Sequence, residues 1–228
     1  MAAHGDLFAL FKAYCTPEWQ ALARSHTTTL HFKAGETIFK EGQKCENMYM
    51  IAHGRVKVFT NFSQDVEVIL RLAKDGFALG HRGLRRNRTF PVSAVAISPA
   101  TINILPIGVF EDMLRANALF CYHFTLFLAE EMARSEQLRK NFASMTVKSR
   151  VALALRINAD VFGFDPKDKT LLVHTITRKE MAALANSTYE SVVRTLSDLQ
   201  AEGTIALVGK KVRIKDMDQL CKLSDCSF

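Results

Sequence analysis

The sequence has few cysteines, no long apolar run and no recognisable leader, and each absence removes a class of protein. Its five cysteines are odd in number and scattered, which argues against the disulfide framework of a secreted protein. The longest apolar stretch, residues 118–129, is interrupted by His123 and is too short to span a bilayer. The first ten residues carry an acidic residue and no basic one before a short apolar run, unlike a signal peptide. We therefore expect a soluble, cytoplasmic protein with no membrane partner.

Length and charge set wide limits on what the chain can be. With 228 residues, 48% of them hydrophobic, it can form one large domain or two modest ones. The net charge of +7 permits nucleic-acid binding without requiring it. Charge does not single out a DNA-binding half, because the segments before and after Met145 carry net charges of +4 and +3.

Residues 30–105 have the pattern of a β-rich domain. Short apolar or alternating segments are separated by glycines, which is typical of an antiparallel sandwich or jelly roll that can hold a small ligand. Ahead of them, Thr16 and Pro17 predict the cap and first residue of a short helix.

Residues 107–142 are predicted to be helical. An apolar stripe recurs there at spacings of three and four, formed by Phe124, Leu128, Met132, Ser135, Leu138 and Phe142. Such a stripe indicates either the seam of a dimer or a face packed against the β-rich domain, and the pattern alone leaves both open.

Residues 147–228 contain the signals of a helix-turn-helix. After a helix from Val147 to about Val161, Thr177 and Glu180 have the spacing of a capping box. Asn186 stands where the turn needs a left-handed residue, and Ser187 or Thr188 can cap a second helix that Gly203 ends. We therefore predict a short helix, a turn and a recognition helix.

The first turns of the second helix carry the candidate base-reading side chains, together with the capping candidate Thr188. They are Tyr189, Glu190, Val193 and Arg194. Arginine can pair with guanine through two hydrogen bonds, and glutamate can accept one from the cytosine amino group. The alternative is an ordinary surface ion pair, because Glu190 and Arg194 are four residues apart. Glu190 is free to face DNA if Thr188 is the cap, whereas a cap at Ser187 would use Glu190 in a capping box.

A hairpin follows the second helix. Two short strands are predicted on either side of residues 209–211, and Lys210 and Lys211 at their tip are placed to contact phosphate. The alternative is an exposed lysine turn of the kind that any hairpin can have.

Taken together, these parts resemble the Crp/Fnr superfamily of dimeric transcription regulators over nearly the whole chain. Residues 32–42 and 48–58 are similar to the signature of cyclic-nucleotide-binding domains, and residues 176–205 are similar to the family's helix-turn-helix. The resemblance implies an α+β fold in three parts. These are a double-stranded β-helix (jelly-roll) sensor domain over residues 1–116, a long dimerisation helix over 117–145 and a winged helix-turn-helix over 146–228.

The resemblance also implies a function. We expect a non-enzymatic regulator that binds double-stranded DNA as a homodimer at a palindrome, with RNA polymerase as a further partner. Glu190 and Arg194 match the family's base-reading positions, which favours TGA-like half-sites. Tyr189 and Val193 depart from the usual residues and leave the other bases open.

The sensor turn, Gly80-His81-Arg82-Gly83, departs from the cyclic-AMP-binding members of the family. His81 stands where those members have a glutamate for the ribose, and Phe90 stands where they have an arginine for the phosphate. An uncharged ring cannot neutralise a buried phosphate. We therefore expect no ordinary cyclic-AMP response and a small-molecule effector of another kind.

Several alternatives stay open around this turn. Its arginines can form an anion pocket or a solvated basic loop; they are Arg82, Arg85, Arg86 and Arg88. His81 is a structural residue or, as in the carbon-monoxide-sensing members, a haem ligand, which would make the protein a gas sensor. No other metal is expected, since only Cys15 and Cys45 occur in the first 120 residues and an iron–sulfur centre needs more.

Two other functions are weaker interpretations. A jelly-roll metalloenzyme would need converging histidines and a carboxylate, but His31, His53 and His81 are dispersed in the sequence. The predicted helix-turn-helix argues against a nucleotide-binding tethering subunit.

Overall fold

Glycine-punctuated apolar segments form two four-stranded sheets in the computed structural model, which describes residues 7–63 and 66–224. Cys226, one of the five cysteines, lies outside the described residues. So do residues 1–6, which are most of the N-terminal segment compared above with a signal peptide. In chain order the strands are β1 (Thr28–Phe32), β2 (Thr37–Phe39), β3 (Asn47–His53), β4 (Val56–Ser63), β5 (Val66–Ala73), β6 (Ala78–Leu79), β7 (Ser93–Ala96) and β8 (Ala100–Pro106). The sheet orders are β1-β8-β3-β6 and β2-β7-β4-β5. The predicted β-rich sensor region is confirmed.

A turn glycine shows how tightly the strands are connected. Gly54 has a φ of +115°, and a side chain there would place its Cβ 2.6 Å from the Cα atom of Ala100. Only glycine satisfies both the left-handed backbone and the close approach of the neighbouring strand.

The chain divides into two compact units, Met1–Thr60 with Ala73–Glu136 and Asn61–Leu72 with Gln137–Phe228. Within the first unit, helices cover the outer face of the first sheet. They are α1 (Leu7–Tyr14), α2 (Pro17–His26), α3 (Ile107–Ala116) and the part of α4 (Ala118–Ser144) up to Glu136. Helix α1 was not predicted. Thr16 does precede α2 with Pro17 at its first position, but the Thr16 side chain makes no capping hydrogen bond.

The corner between α3 and α4 is held by a buried amide. Asn117 accepts a hydrogen bond from the backbone N of Thr16 at 3.2 Å and donates one from Nδ2 to the carbonyl oxygen of Met113 at 2.9 Å. A buried amide satisfied in this way fixes the direction of both helices, because breaking either bond would leave a polar group without a partner.

The apolar stripe predicted on the long helix divides between two environments. Phe124 is buried with Phe120 and Phe127 in the cluster that joins α4 to the outer face of the sheet. Leu128 and Met132 are exposed. Packing within the first unit therefore accounts for Phe124, and the dimer seam stays a prediction for the exposed positions.

The second unit contains a compact bundle of helices with a hairpin. Its elements are α5 (Val147–Phe162), α6 (Arg178–Leu184), α7 (Tyr189–Ala201), β9 (Ile205–Val208), β10 (Lys211–Ile214) and α8 (Met217–Ser224). The two strands pair antiparallel. Helices α5 to α7 and the hairpin agree with the prediction, whereas α8 was not predicted. None of the described helices is long and apolar enough to cross a membrane.

Replacing Phe120 with alanine should destabilise the first unit by about 3–5 kcal/mol, because its fully buried ring would leave a cavity. Urea unfolding followed by the fluorescence of Trp19, the single tryptophan, measures this change since Trp19 packs against the same cluster. Leu30→Ala is the matched control: Leu30 is 49% exposed on β1 and its loss should change stability by less than about 0.5 kcal/mol. Equal effects of the two substitutions would contradict this packing.

Candidate nucleic-acid interface and sensor turn

Helix α6 begins with the predicted capping box. The hydroxyl of Thr177 accepts a hydrogen bond from the backbone N of Glu180 at 3.2 Å, and the Glu180 carboxylate accepts one from the backbone N of Thr177 at 2.8 Å. Two backbone donors that the helix cannot satisfy itself are thereby paired. The start of the helix-turn-helix is fixed by local chemistry alone.

The turn that follows contains the left-handed residue expected from the sequence. Asn186 has a φ of +45°, and the backbone N of Ser187 donates to the carbonyl oxygen of Ala182 at 3.0 Å. Helix α7 is capped by Thr188, whose hydroxyl accepts from the backbone N of Ser191 at 3.1 Å. Because Thr188 and not Ser187 is the cap, Glu190 is not used in a capping box.

Arg150 holds this turn in place and was missed by sequence reasoning. Its guanidinium donates to the carbonyl oxygens of Ala185 at 2.9 Å and Asn186 at 3.3 Å, and also to that of Met145 at 3.1 Å. The end of α6 and the segment before α5 therefore share one planar donor group. The sequence carries no signal for this role, because α5 has other charged residues and the partners of Arg150 are backbone carbonyls.

A second missed residue is Asn158, which is fully buried in α5. Its amide donates to the carbonyl oxygen of His174 at 2.7 Å and accepts from the backbone N of Ile176 at 2.9 Å. These bonds tie α5 to the segment that leads into α6, so the helix-turn-helix rests on a scaffold of satisfied polar contacts.

Helix α7 has one buried and one exposed face. Val192, Leu196 and Leu199 are buried. The predicted reading residues are all exposed on the opposite side, where Tyr189 is 52% and Val193 40% accessible; they are Thr188, Tyr189, Glu190, Val193 and Arg194. Within residues 7–63 and 66–224, neither Glu190 nor Arg194 forms an ion pair. The alternative, a surface salt bridge between Glu190 and Arg194, is therefore not formed within these residues.

The hairpin tip is slightly shorter than predicted. Lys211 pairs with Val208 as the first residue of β10, so the tip consists of Gly209, with a φ of +58°, and Lys210. Both lysines are exposed. The base of the hairpin is anchored by Arg213, which donates to Asp168 at 2.6 Å. The hydroxyl of Thr170, and after it Arg213, hold the pKa of Asp168 well below its usual range.

The sensor turn of the first unit is a tightly packed 3₁₀ turn over His81–Gly83. Gly80 has a φ of +91°, and a Cβ on Gly83 would lie 2.5 Å from the sulfur of Cys45. Burial raises the pKa of that thiol, so it stays neutral. The turn therefore has no room for larger residues at its glycine positions.

Phe90 lies inside the roll. It is buried, stacks on Phe39 with ring centroids 4.2 Å apart and lies 6.2 Å from the ring of Tyr49. Aromatic rings thus occupy the interior at the position where the resemblance places a phosphate.

The arginines near the turn face carboxylates and polar side chains. Arg82 lies 3.6 Å from Glu131, and Arg88 lies 2.7 Å from Glu111. Arg85 donates to Asn87 and Thr89, while Arg86 is exposed. These contacts favour the solvated basic loop over a pocket with inward guanidinium groups.

His81 is buried, and its ring packs edge-on against Phe127 with centroids 5.4 Å apart. Both ring nitrogens are closed off from solvent, so an iron could reach them only after the turn or Phe127 had moved. His31 contacts Thr101 and His53 contacts Asp75, so the three histidines of the roll do not converge. In the described part of the chain, no group of three or more potential ligands could hold a metal ion.

Both units match known families. Residues 29–117 match the family model described as the cyclic nucleotide-binding domain, and residues 149–223 match that of the Crp-like helix-turn-helix domain. The chain belongs to the Crp/Fnr family of transcription regulators. The predicted resemblance and the prediction of a DNA-binding helix-turn-helix are confirmed.

Relatives within the Crp/Fnr family cover most of the chain. The chain is 24% identical over 191 residues to a CRP-like cAMP-activated global transcriptional regulator of Mycobacterium tuberculosis. That alignment covers 84% of this chain and 85% of the relative. It is 26% identical over 200 residues to the cyclic AMP receptor protein of Thermus thermophilus, with 88% and 89% covered. The structure of FixK2 from Bradyrhizobium japonicum superimposes with a TM-score of 0.77 at 18% identity, with 89% of this chain and 99% of that chain covered. That structural likeness supports the fold.

Substituting Asn186 tests the left-handed turn. Asn186→Val should lower the free energy of unfolding by about 1–2 kcal/mol, because a β-branched side chain is strained at positive φ. Asn186→Gly should leave it nearly unchanged, since the exposed asparagine side chain packs against little and glycine adopts this conformation freely. Thermal denaturation followed by circular dichroism compares the two, and an equal loss in both would refute the strain argument.

Proposed function

We propose that this Crp/Fnr-family regulator acts in the cytoplasm as a homodimer that reads a palindromic DNA site. Its affinity for DNA is controlled by a small molecule other than cyclic AMP. The observation that carries the proposal is that Glu190 and Arg194 are exposed on the outer face of α7 and form no ion pair within residues 7–63 and 66–224. The same unit also carries two exposed hairpin lysines.

The reading face combines two kinds of contact. Arg194 can donate two hydrogen bonds to a guanine and Glu190 can accept one from a cytosine, so the pair selects G·C base pairs in the major groove. Lys210 and Lys211 supply positive charge to the phosphates, which adds affinity without sequence preference. Tyr189 and Val193 are exposed on the same helix and offer apolar contacts, for which the methyl group of thymine is the natural partner.

The homodimer is supported by a second face of α4. Leu119, Tyr122 and Leu126 are exposed on the side of the helix opposite to the buried Phe120 and Phe124. Exposed apolar residues that recur at helical spacing are typical of a surface covered by another helix. A two-fold dimer contains two copies of α7, the number that the two half-sites of a palindrome require.

The roll interior is unsuited to a cyclic nucleotide. Phe90, Phe39 and Tyr49 fill it with aromatic rings, whereas Arg82 and Arg88, in and after the sensor turn, pair with Glu131 and Glu111. A cyclic nucleotide would leave its phosphate unpaired in such surroundings, at a large cost in free energy. RNA polymerase is the expected partner of the DNA-bound dimer, as the resemblance implies, and no catalytic role is proposed.

Arg194→Ala should abolish sequence preference. Fluorescence anisotropy with a palindromic duplex bearing TGA-like half-sites and a shuffled duplex of equal length should show the preference falling by about 1–3 kcal/mol per half-site. Lys210→Ala is the matched control: it should weaken both duplexes alike and reduce the slope of log K against log[salt] by about one per protomer. Binding that is absent in the wild type, or indifferent to Arg194, would refute this reading face.

Leu126→Glu should break the dimer, because the two-fold axis would bring two buried carboxylates together. Sedimentation equilibrium should show dimer dissociation becoming at least tenfold more favourable, since buried like charges cost several kcal/mol. Leu30→Glu, the same change at an exposed leucine of β1, should leave the association unchanged. A dimer that tolerates Leu126→Glu would place the interface elsewhere.

A further inference from the structure

A cavity lies on the outer face of the first sheet, on the side away from the aromatic cluster that fills the roll. It is partly open to solvent, has a volume of about 270 Å³ and is lined by α1, α2, α3 and the strands β1, β3 and β8. Its apolar wall is formed by Leu7, Phe11, Met48, Met50, Phe110 and Met113. All of these residues belong to the first unit.

The size of the cavity limits its occupant. At roughly 30 Å³ for each group of the size of a water molecule, it has room for about nine such groups. An apolar wall of this kind gives water few hydrogen-bond partners, whereas a short hydrocarbon chain would gain contact with the methionines and phenylalanines.

Hydrogen-bond donors lie at the rim of the cavity. Arg24 lines the cavity from α2, and its Nε donates to the carbonyl oxygen of Gln20 at 3.2 Å. In the portion of the chain that the structure covers, no carboxylate forms a salt bridge with Arg24. Asn103 also lines the cavity, and its carbonyl oxygen accepts from Thr29 at 2.9 Å, which leaves the amide group as a donor. The rim therefore offers a guanidinium and an amide to a hydrogen-bond acceptor.

We propose that this cavity, and not the interior of the roll, binds the controlling effector, and that the effector is a medium-chain carboxylate. The hydrocarbon chain lies against the apolar wall, and the carboxylate meets the guanidinium of Arg24 at the rim. This inference rests on the proposed function in one respect, namely that a small molecule controls DNA binding.

The cavity is connected to the long helix through aromatic rings. Phe110, in the cavity wall, packs edge-on against Phe124 with centroids 5.3 Å apart and against Phe120 at 6.0 Å. Phe11, also in the wall, packs edge-on against Phe120 at 6.2 Å. A ligand that presses on Phe110 or Phe11 acts on the start of α4, because close-packed rings transmit a displacement to their neighbours.

Direct binding tests the site without DNA. Isothermal titration of the full chain with octanoate should give one saturable site per chain, with a dissociation constant on the order of 0.1 mM for a ligand of this size. Arg24→Gln should weaken octanoate about tenfold by removing the charge-assisted bond, while leaving the weaker binding of octanamide unchanged. Arg86→Gln, at another exposed arginine of the first unit, should leave octanoate binding as in the wild type.

A filling variant tests the apolar part of the cavity. Ala23→Phe, at a buried residue of the wall, should abolish binding of octanoate and octanamide alike. Ala23→Phe can also disturb the fold, so the melting temperature of this variant is measured alongside. If the Ala23→Phe variant unfolds, the Arg24→Gln variant, changed at an exposed residue, remains decisive. Absence of saturable octanoate binding, or octanoate affinity that is the same in the wild type and Arg24→Gln, would overturn the proposal.

The regulatory part is tested by DNA binding with and without saturating octanoate. Affinity for the palindromic duplex should change at least fivefold in the wild type and not in Arg24→Gln at the same concentration. Octanoate that binds without changing DNA affinity would overturn the effector role. Failure of the proposed function is distinguishable, because the protein would then bind octanoate as expected while showing no preference for the palindrome under any condition.

Discussion

The packing of Phe120 is the contact on which the first unit depends. Its ring has no exposed surface and meets Phe11 of α1, Phe110 of α3 and Phe124 of its own helix. Three helices and the outer face of a sheet therefore share one buried side chain. Because rings in edge-on contact have few alternative arrangements, the direction in which α4 leaves this unit follows from that packing together with the hydrogen bonds of Asn117.

The helix-turn-helix depends on a different kind of constraint. Its capping box, its left-handed asparagine and its second cap are local and polar, and Arg150 then ties the turn to the segment before α5. Such bonds have strict geometry, so the exposed face of α7 is presented by a rigid support. Under the proposed function, this rigidity keeps the DNA-reading residues of α7 in a constant arrangement.

Much of this was predictable from the sequence, and the reasons are physical. The capping box, the turn at Asn186 and the strands around the hairpin are specified by residues a few positions apart, so the sequence pattern contains the whole interaction. Arg150, Asn158 and Asn117 could not be recognised in this way, because their partners lie far along the chain or are backbone carbonyls that no side-chain pattern reveals. The environment of Phe124 could not be predicted either, because its apolar stripe is compatible with a dimer seam and with a buried core. Only the folded structure shows that Phe124 lies in the core. The cavity beside Arg24 is formed by segments 7–29, 48–50 and 103–113, and therefore exists only in the folded unit.

Under the proposed function, Glu190 also affects how the protein searches DNA. Its carboxylate is exposed on α7, one helical turn from Arg194, on the surface that would approach a polyanion. At a base pair without a cytosine amino group in reach, this carboxylate gains no hydrogen bond and is repelled by the phosphates. Under this proposal each wrong site would be released sooner, and fewer molecules would be held by the large excess of non-cognate DNA. A single acidic side chain in a basic protein would then shorten the search for the operator as well as help to recognise it.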